Sequence, residues 1–225
     1  MSPPETTTPH GPVVTHVCAV GTLHADAGTV GVTAIDKRPV PGPVRVGRHG
    51  LRGDVQADRA HHGGPDKALY AFDEAEADYW AGELGGPVWP GRFGENLRLR
   101  GLAVDDAVIG ERWRIGAQVE VEVTMPRTPC ATFGRWVGRS GWVARFTEHG
   151  RTGAYLRVLT AGPIGPGDPV AVTARPAHGV TVTRWFTGRD PQDARALLDH
   201  EAAVGWVMAG DLRRAVVRAA GPAHR

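Results

Sequence analysis

In the stretch Thr124–Trp136, TMPRTPCATFGRW, Cys130 follows two prolines, and Arg127 lies three positions before it. The apolar alternation of Val119, Val121 and Val123 predicts a strand ending near Pro126, so the thiol is displayed just past a strand end. A neighbouring cation favours the thiolate, the form that attacks an electrophile or ligates a soft metal. The alternative is a buried structural cysteine. Papain-like and phosphatase chemistry are excluded by pattern: no five-residue cradle joins Cys130 to an arginine, and no aromatic-flanked cysteine signature surrounds it.

A second concentration of chemistry lies in VRVGRHGLRGDVQADRAHHGGPDKALYAF, residues 44–72. It carries Arg45, Arg48, His49, Arg52, Asp54, Asp58, Arg59, His61, His62, Asp66 and Lys67 with five glycines among them. Glycine amides followed by Lys67 suit a phosphate, because exposed N–H groups and an ammonium both favour an anion. The spacing lacks the first glycine and the following Ser or Thr of a Walker A loop. Asp54, Asp58, His61 and His62 have nitrogen and oxygen donors for a divalent metal. Adjacent histidines on extended backbone point to opposite sides, however, and the simpler reading has Asp54 and Asp58 accepting hydrogen bonds from loop amides. A basic module holding nucleic acid or a small anion through Arg45, Arg48, Arg52 and Arg59 is a separate possibility.

These groups must be held by short strands and helices. VVTHVCAV, Val13 to Val20, reads as a buried strand with Cys18 inside the core, and a second strand runs from Val30 to Ile35 into Lys37 and Arg38. DEAEADYWAGEL predicts a helix capped by Asp73, with Ala77, Trp80 and Leu84 on one face and Gly85 and Gly86 ending it. FGENLRLRGL and VIGERWRIGAQVEVEVTM restore strand alternation, with Trp113 and Ile115 on one side and Arg112 and Arg114 on the other. One or two short helical turns are expected in WVGRSGWVARFTEHG, and strands in AYLRVLTAG and PVAVTARP. At Pro176 the composition shifts, and two small helices are expected on either side of Gly205, the first starting at Asp190 with Pro191 in its first turn.

With 225 residues, 41% hydrophobic and 22% charged, the chain suffices for one domain or one domain with an appendage. Counts of 31 Gly and 18 Pro fit many turns between short strands. The expected division is a disordered tail over 1–12, a β domain over 13–176 and a helical segment over 177–225. A net charge of +2 does not imply nucleic acid, and two cysteines support neither a disulfide framework nor an iron–sulfur cluster. The polar, proline-rich start and the lack of a long apolar run predict a cytoplasmic protein with no membrane span.

In this order, TAIDKRPV, GLRGDVQADRAHHGGPDKALYAF, PGRFGENL, IGERWRIG, MPRTPC and GAYLRVLTAGPIGPGDPV resemble the MOSC domain family, named for the C-terminal domain of molybdenum cofactor sulfurases, in its YiiM-like branch. The resemblance spans roughly residues 29 to 173. It implies a mainly β, α+β fold: a β-barrel-like core with short helices and a small C-terminal helical appendage. It also implies a pyranopterin molybdenum cofactor whose metal is held by the Cys130 thiolate, with Lys67, Asn96 and Arg127 around it. Arg52, His61 and His62 are further cofactor contacts, and Asp54, Asp58 and Glu95 orient the donors. The implied activity is a detoxifying reduction of small N-hydroxylated compounds, amidoximes and hydroxylaminopurines, with electrons from a separate reductase. Pyridoxal phosphate and nucleic acid are not expected, and the chain is expected to be a monomer or homodimer. The alternative function is a cofactor or sulfur carrier that uses Cys130 without turnover.

Overall fold

The computed structural model describes residues 11–57 and 63–221. The β-branched opening run forms β1 (Val13–Ala25), and β2 (Val32–Pro39) returns antiparallel beside it, starting past Gly31 rather than at Val30. β3 (Val44–Gly47) and β4 (Gly50–Leu51) make a tight hairpin. Gly50 sits at φ 108°, and a Cβ there would stand 2.4 Å from the Ala68 carbonyl oxygen, so only glycine lets the hairpin lie against the chain just after Lys67.

β5 (Leu69–Asp73) leads into α1 (Glu74–Leu84) and β6 (Leu97–Arg100). β5 and β6 pair parallel, and α1 supplies the crossover that a parallel pair requires. As expected, Asp73 caps α1, its carboxylate accepting from the Ala75 amide at 3.0 Å, and Gly85 ends the helix in the left-handed conformation.

β7 (Arg112–Ile115), β8 (Val119–Pro126), β9 (Ala154–Thr160), β10 (Gly162–Ile164) and β11 (Val170–Ala174) complete the strands. Eight form one sheet in the order β11-β7-β8-β9-β5-β6-β1-β2, and β10-β3-β4 form a smaller one. The large sheet curls until β1 meets the start of β11 at a bridge between Val13 and Pro169, and the Val170 amide donates to the Pro12 carbonyl at 2.8 Å. The core is thus barrel-like, joined at that bridge rather than closed by continuous strand pairing.

Two helices, α2 (Ala131–Val137) and α3 (Trp142–His149), lie between β8 and β9. With β5 and α1 they enclose an aromatic cluster in which Phe133 meets Phe93 at 5.4 Å and Phe146 at 4.9 Å between ring centroids. After β11 come α4 (Val182–Gly188), α5 (Pro191–Val204) and α6 (Gly210–Ala220). This corrects the expectation of two helices. α5 and α6 fall where Asp190, Pro191 and Gly205 place them, whereas α4 is a seven-residue helix rich in β-branched and aromatic residues. Its local propensity is poor, and it is fixed by burial of Val182, Trp185 and Phe186 and by the Thr181 cap. No helix among the described residues is long and apolar enough to cross a membrane.

Candidate functional site

The exit of β8, the inner part of β2 and the chain after β4 converge on a cavity of about 190 Å³. Cys130, Arg127, Lys67 and Asn96, four residues singled out from sequence, all line it. The half-buried cysteine immediately precedes α2, and its carbonyl accepts from the Gly134 amide at 3.1 Å. α2 is held from beneath by Phe133 in the aromatic cluster and from the side by the β1–β2 turn. There Asp26 accepts from Arg135 at 2.8 and 2.7 Å and from the Thr132 hydroxyl at 2.9 Å. The Arg135 hydrogen bonds hold the Asp26 carboxyl far below the usual carboxylate range.

Arg127 is buried, its guanidinium 4.0 Å from the Phe133 ring centroid, and its Nη1 makes no hydrogen bond. No carboxylate pairs with it among the described residues. Cation–π contact supplies part of the lost hydration, but an unpartnered buried donor facing a cavity is suited to an anion or a ring rich in carbonyl and nitrogen acceptors. Across the cavity, burial pushes the Tyr155 phenol above its ordinary value, so it stays neutral. The Lys67 ammonium, 5.8 Å from the Tyr155 ring, also donates to Asp211 of α6 at 2.5 Å.

Asn96 orients rather than offers donors. Its side-chain oxygen accepts from the Tyr70 amide at 3.1 Å, and its nitrogen donates to the Cys18 carbonyl at 3.1 Å and to Asp54 at 2.8 Å. Both amide hydrogens are thereby committed to the protein. Asp54 also accepts from the Val20 amide at 2.9 Å and pairs with buried Lys37, as expected of a residue that orders its surroundings. Lys37 is brought here by Gly91 of the PGRFGENL motif, where a Cβ would lie 2.3 Å from the Lys37 carbonyl oxygen. Glu95 binds the Gly91 and Phe93 amides at 2.8 and 3.0 Å and pairs with Arg98, fixing the loop before Asn96.

Arg52 does not face this cavity; it lines an adjoining one. Asp58, Arg59, His61 and His62 lie outside the described residues. Cys18 is fully buried in β1, its thiol pushed up to about 12 by burial, in keeping with a core role. Sequence reasoning did not single out Lys37, Tyr155, Asp26 or Thr132 as site residues. Only Lys37 carried a signal, its place in TAIDKRPV. Among the described residues, no group of three or more His, Cys, Asp or Glu side chains is placed to hold a metal. A metal that arrives with its own organic ligand requires less of the protein, and a single thiol beside a buried cation meets that requirement.

The fold and this cavity define a class of protein. The chain matches the MOSC domain family over residues 58–171 and belongs to that family, which is associated with the molybdenum cofactor. Among its relatives, the uncharacterized Bacillus subtilis protein YflK is 36% identical over 150 residues, 67% of each chain. A Gibberella moniliformis reductase is 32% identical over 152 residues, 64% of this chain but 26% of that one, so the match spans about a quarter of the fungal protein. In three dimensions the chain is similar to the crystal structure of YiiM from Geobacillus stearothermophilus, with a TM-score of 0.74 and 26% identity, covering 92% of this chain and 98% of that one.

Proposed function

We propose that this protein is a molybdenum cofactor-dependent reductase of N-hydroxylated small molecules, with Cys130 holding the metal. The observation that carries this reading is the convergence on one cavity of Cys130 and the Arg127 guanidinium, which has no carboxylate partner among the described residues. The thiolate is a soft ligand, and the buried guanidinium supplies the charge and directed donors that an anionic pterin requires. When bound, the cofactor supplies the two-electron redox chemistry. Converting N–OH to N–H consumes two electrons and two protons and releases the oxygen as water.

The chain's own residues hold and shield. Asp26, Thr132 and Arg135 fix α2, and with it the position of Cys130. Asp54, itself oriented by the Asn96 side chain, holds the Lys37 ammonium at the cavity wall. Tyr155 and Tyr70 present neutral walls, the Tyr70 hydroxyl committed to the Thr152 carbonyl at 2.7 Å. In this reading a separate reductase delivers the two electrons to the bound cofactor.

The test is molybdenum content of the protein made in cells competent for cofactor synthesis, with benzamidoxime reduction by a reduced viologen dye, run beside Cys130→Ser. Metal near one per chain, with turnover lost in the variant, is expected. Absence of molybdenum from the parent protein overturns the reading, and a persulfide on Cys130 in that case establishes the carrier function.

A further inference from the structure

The β3–β4 hairpin walls a second cavity of about 700 Å³, which shares Asp54, Val55 and Gln56 with the Cys130 cavity. Arg45, Arg48, His49 and Arg52 line it. Arg45 and Arg52 stand opposite each other, one step beyond the Val46–Leu51 pair, with the Arg52 amide donating to the Arg45 carbonyl at 2.8 Å. Like charges directly opposite on a ladder destabilise it. None of the three guanidiniums has an acidic partner among the described residues. Among the described residues, Asp54 is the one carboxylate on the cavity wall, and it is already engaged by Lys37, Asn96 and the Val20 amide. A cation cluster with no acidic partner among the described residues, around a space of this size, is an arrangement that an incoming anion stabilises.

From this cluster we infer that the second cavity binds the diphosphate of a nucleotide, so that the substrate class of the site is a phosphorylated N-hydroxylated nucleotide rather than a free base. The substrate assignment rests on the reductase reading, whereas the diphosphate site does not. Three unpaired guanidiniums match the charge of a nucleoside diphosphate better than that of a phosphate monoester. The wall between the cavities is fixed: Gln56 donates to the Lys67 carbonyl at 3.0 Å and accepts from the Gly64 amide at 2.9 Å. Beside it, exposed Val55 gives an apolar surface over which a base passes from the basic cavity toward Cys130.

Isothermal titration of the full chain with ADP, adenosine and inorganic pyrophosphate tests the site directly. ADP and pyrophosphate are expected to bind at least about tenfold tighter than adenosine. The double variant Arg45→Gln, Arg48→Gln is expected to lose that difference with its melting temperature preserved, and Cys130→Ser to bind ADP as the parent does. ADP binding no tighter than adenosine, or unchanged in the double variant, overturns the site. So does a short RNA that binds with a steep salt dependence and is not displaced by ADP. Dye-driven turnover of a hydroxylaminopurine base and its nucleoside diphosphate tests the substrate class: parent kcat/KM is expected to favour the nucleotide and the double variant to lose the preference. Equal turnover of both by the parent overturns the substrate assignment alone. ADP binding without turnover of either overturns the reductase reading and leaves the diphosphate site standing.

Discussion

Burying the Arg127 guanidinium against Phe133 with no carboxylate partner among the described residues costs folding free energy. Replacing Arg127 by Met keeps an unbranched stem and removes the charge. Loss of the cation–π contact and relief of the unpaired donor nearly cancel, so stability in urea is expected within about 1 kcal/mol of the parent. Bound molybdenum is expected to fall at least about tenfold, as loss of a charged hydrogen bond would produce. A variant that keeps its metal would show that Arg127 serves the fold alone. Asp105 gives a second, pH-dependent prediction. It is buried, one carboxylate oxygen bound by the Gly153 amide at 2.8 Å and the other without a partner, and burial raises it from 3.8 to about 7. The folded state therefore holds a proton that the unfolded chain releases. The stability this contributes is complete below pH 3.8 and is lost as pH rises through 7. His16 and His178, lowered by burial, act in the opposite sense, so the informative quantity is the difference between Asp105→Asn and the parent. Asn keeps the acceptor for Gly153 and does not titrate, and its advantage is expected to grow by about 2 to 3 kcal/mol between pH 5 and 8. A flat difference in urea denaturation across that range would sink the assignment. Cys130 is legible in the sequence because a thiol past a strand end is conspicuous. Lys37 is not, because a Lys–Arg pair does not reveal which member turns inward; here Lys37 is buried and Arg38 faces out.

Where an element carries its own start and stop signals, its bounds are legible in the amino-acid sequence: Asp73 and Gly85 bound α1, Asp190 and Gly205 bound α5, and alternation marks β7 and β8. α4 carries no such local majority of signals and exists through tertiary burial. The same distinction governs the site. Loop identity marks Lys67 and Arg127 as candidates for an anion, but their common cavity depends on β5, β8 and β9 lying side by side, a pairing between distant segments that local pattern does not encode. α6 adds a long-range element of this kind, because Asp211 in its first turn reaches Lys67 at the cavity wall. That hydrogen bond holds the Asp211 carboxyl below its usual range, and Arg214 pairs with the same carboxylate. Asp211→Asn removes one negative charge from beside Lys67 without altering side-chain size. Anion retention in the Cys130 cavity is expected to tighten by about two- to fivefold at low salt, the scale of one partly exposed ion pair, and the gain to shrink as salt is raised. Molybdenum retained through gel filtration at two salt concentrations measures it. Equal retention at both would mean that α6 does not tune the cavity.

Across the molecule as a whole, the C-terminal helices share a buried core with the sheet. Leu197 of α5 and Leu212 and Val216 of α6 are buried in the same hydrophobic cluster as Val119, Val121 and Trp113 of the sheet. Trp206, between those helices, donates its indole N–H to Glu122 of β8 at 2.9 Å, and its ring lies 3.4 Å from where a Cβ on Gly110 would be. Removing residues after Pro176 would therefore strip apolar cover from β7 and from β8, the strand whose exit delivers Arg127 and Cys130. Fully burying one large apolar side chain contributes about 1.5 to 3 kcal/mol, and exposing several at once exceeds the about 5 to 15 kcal/mol by which a domain is stable. A chain ending at Pro176 is expected to be recovered without fixed tertiary structure, showing weak near-ultraviolet dichroism and strong binding of a hydrophobic dye. The full chain is expected to unfold in one transition, with calorimetric and van't Hoff enthalpies equal and tryptophan fluorescence coincident with far-ultraviolet dichroism. Two separated transitions, or a truncated chain that melts cooperatively, would show that the helices fold apart from the sheet. The control that Asp211 exerts over Lys67 would then be a contact between domains rather than a property of one core.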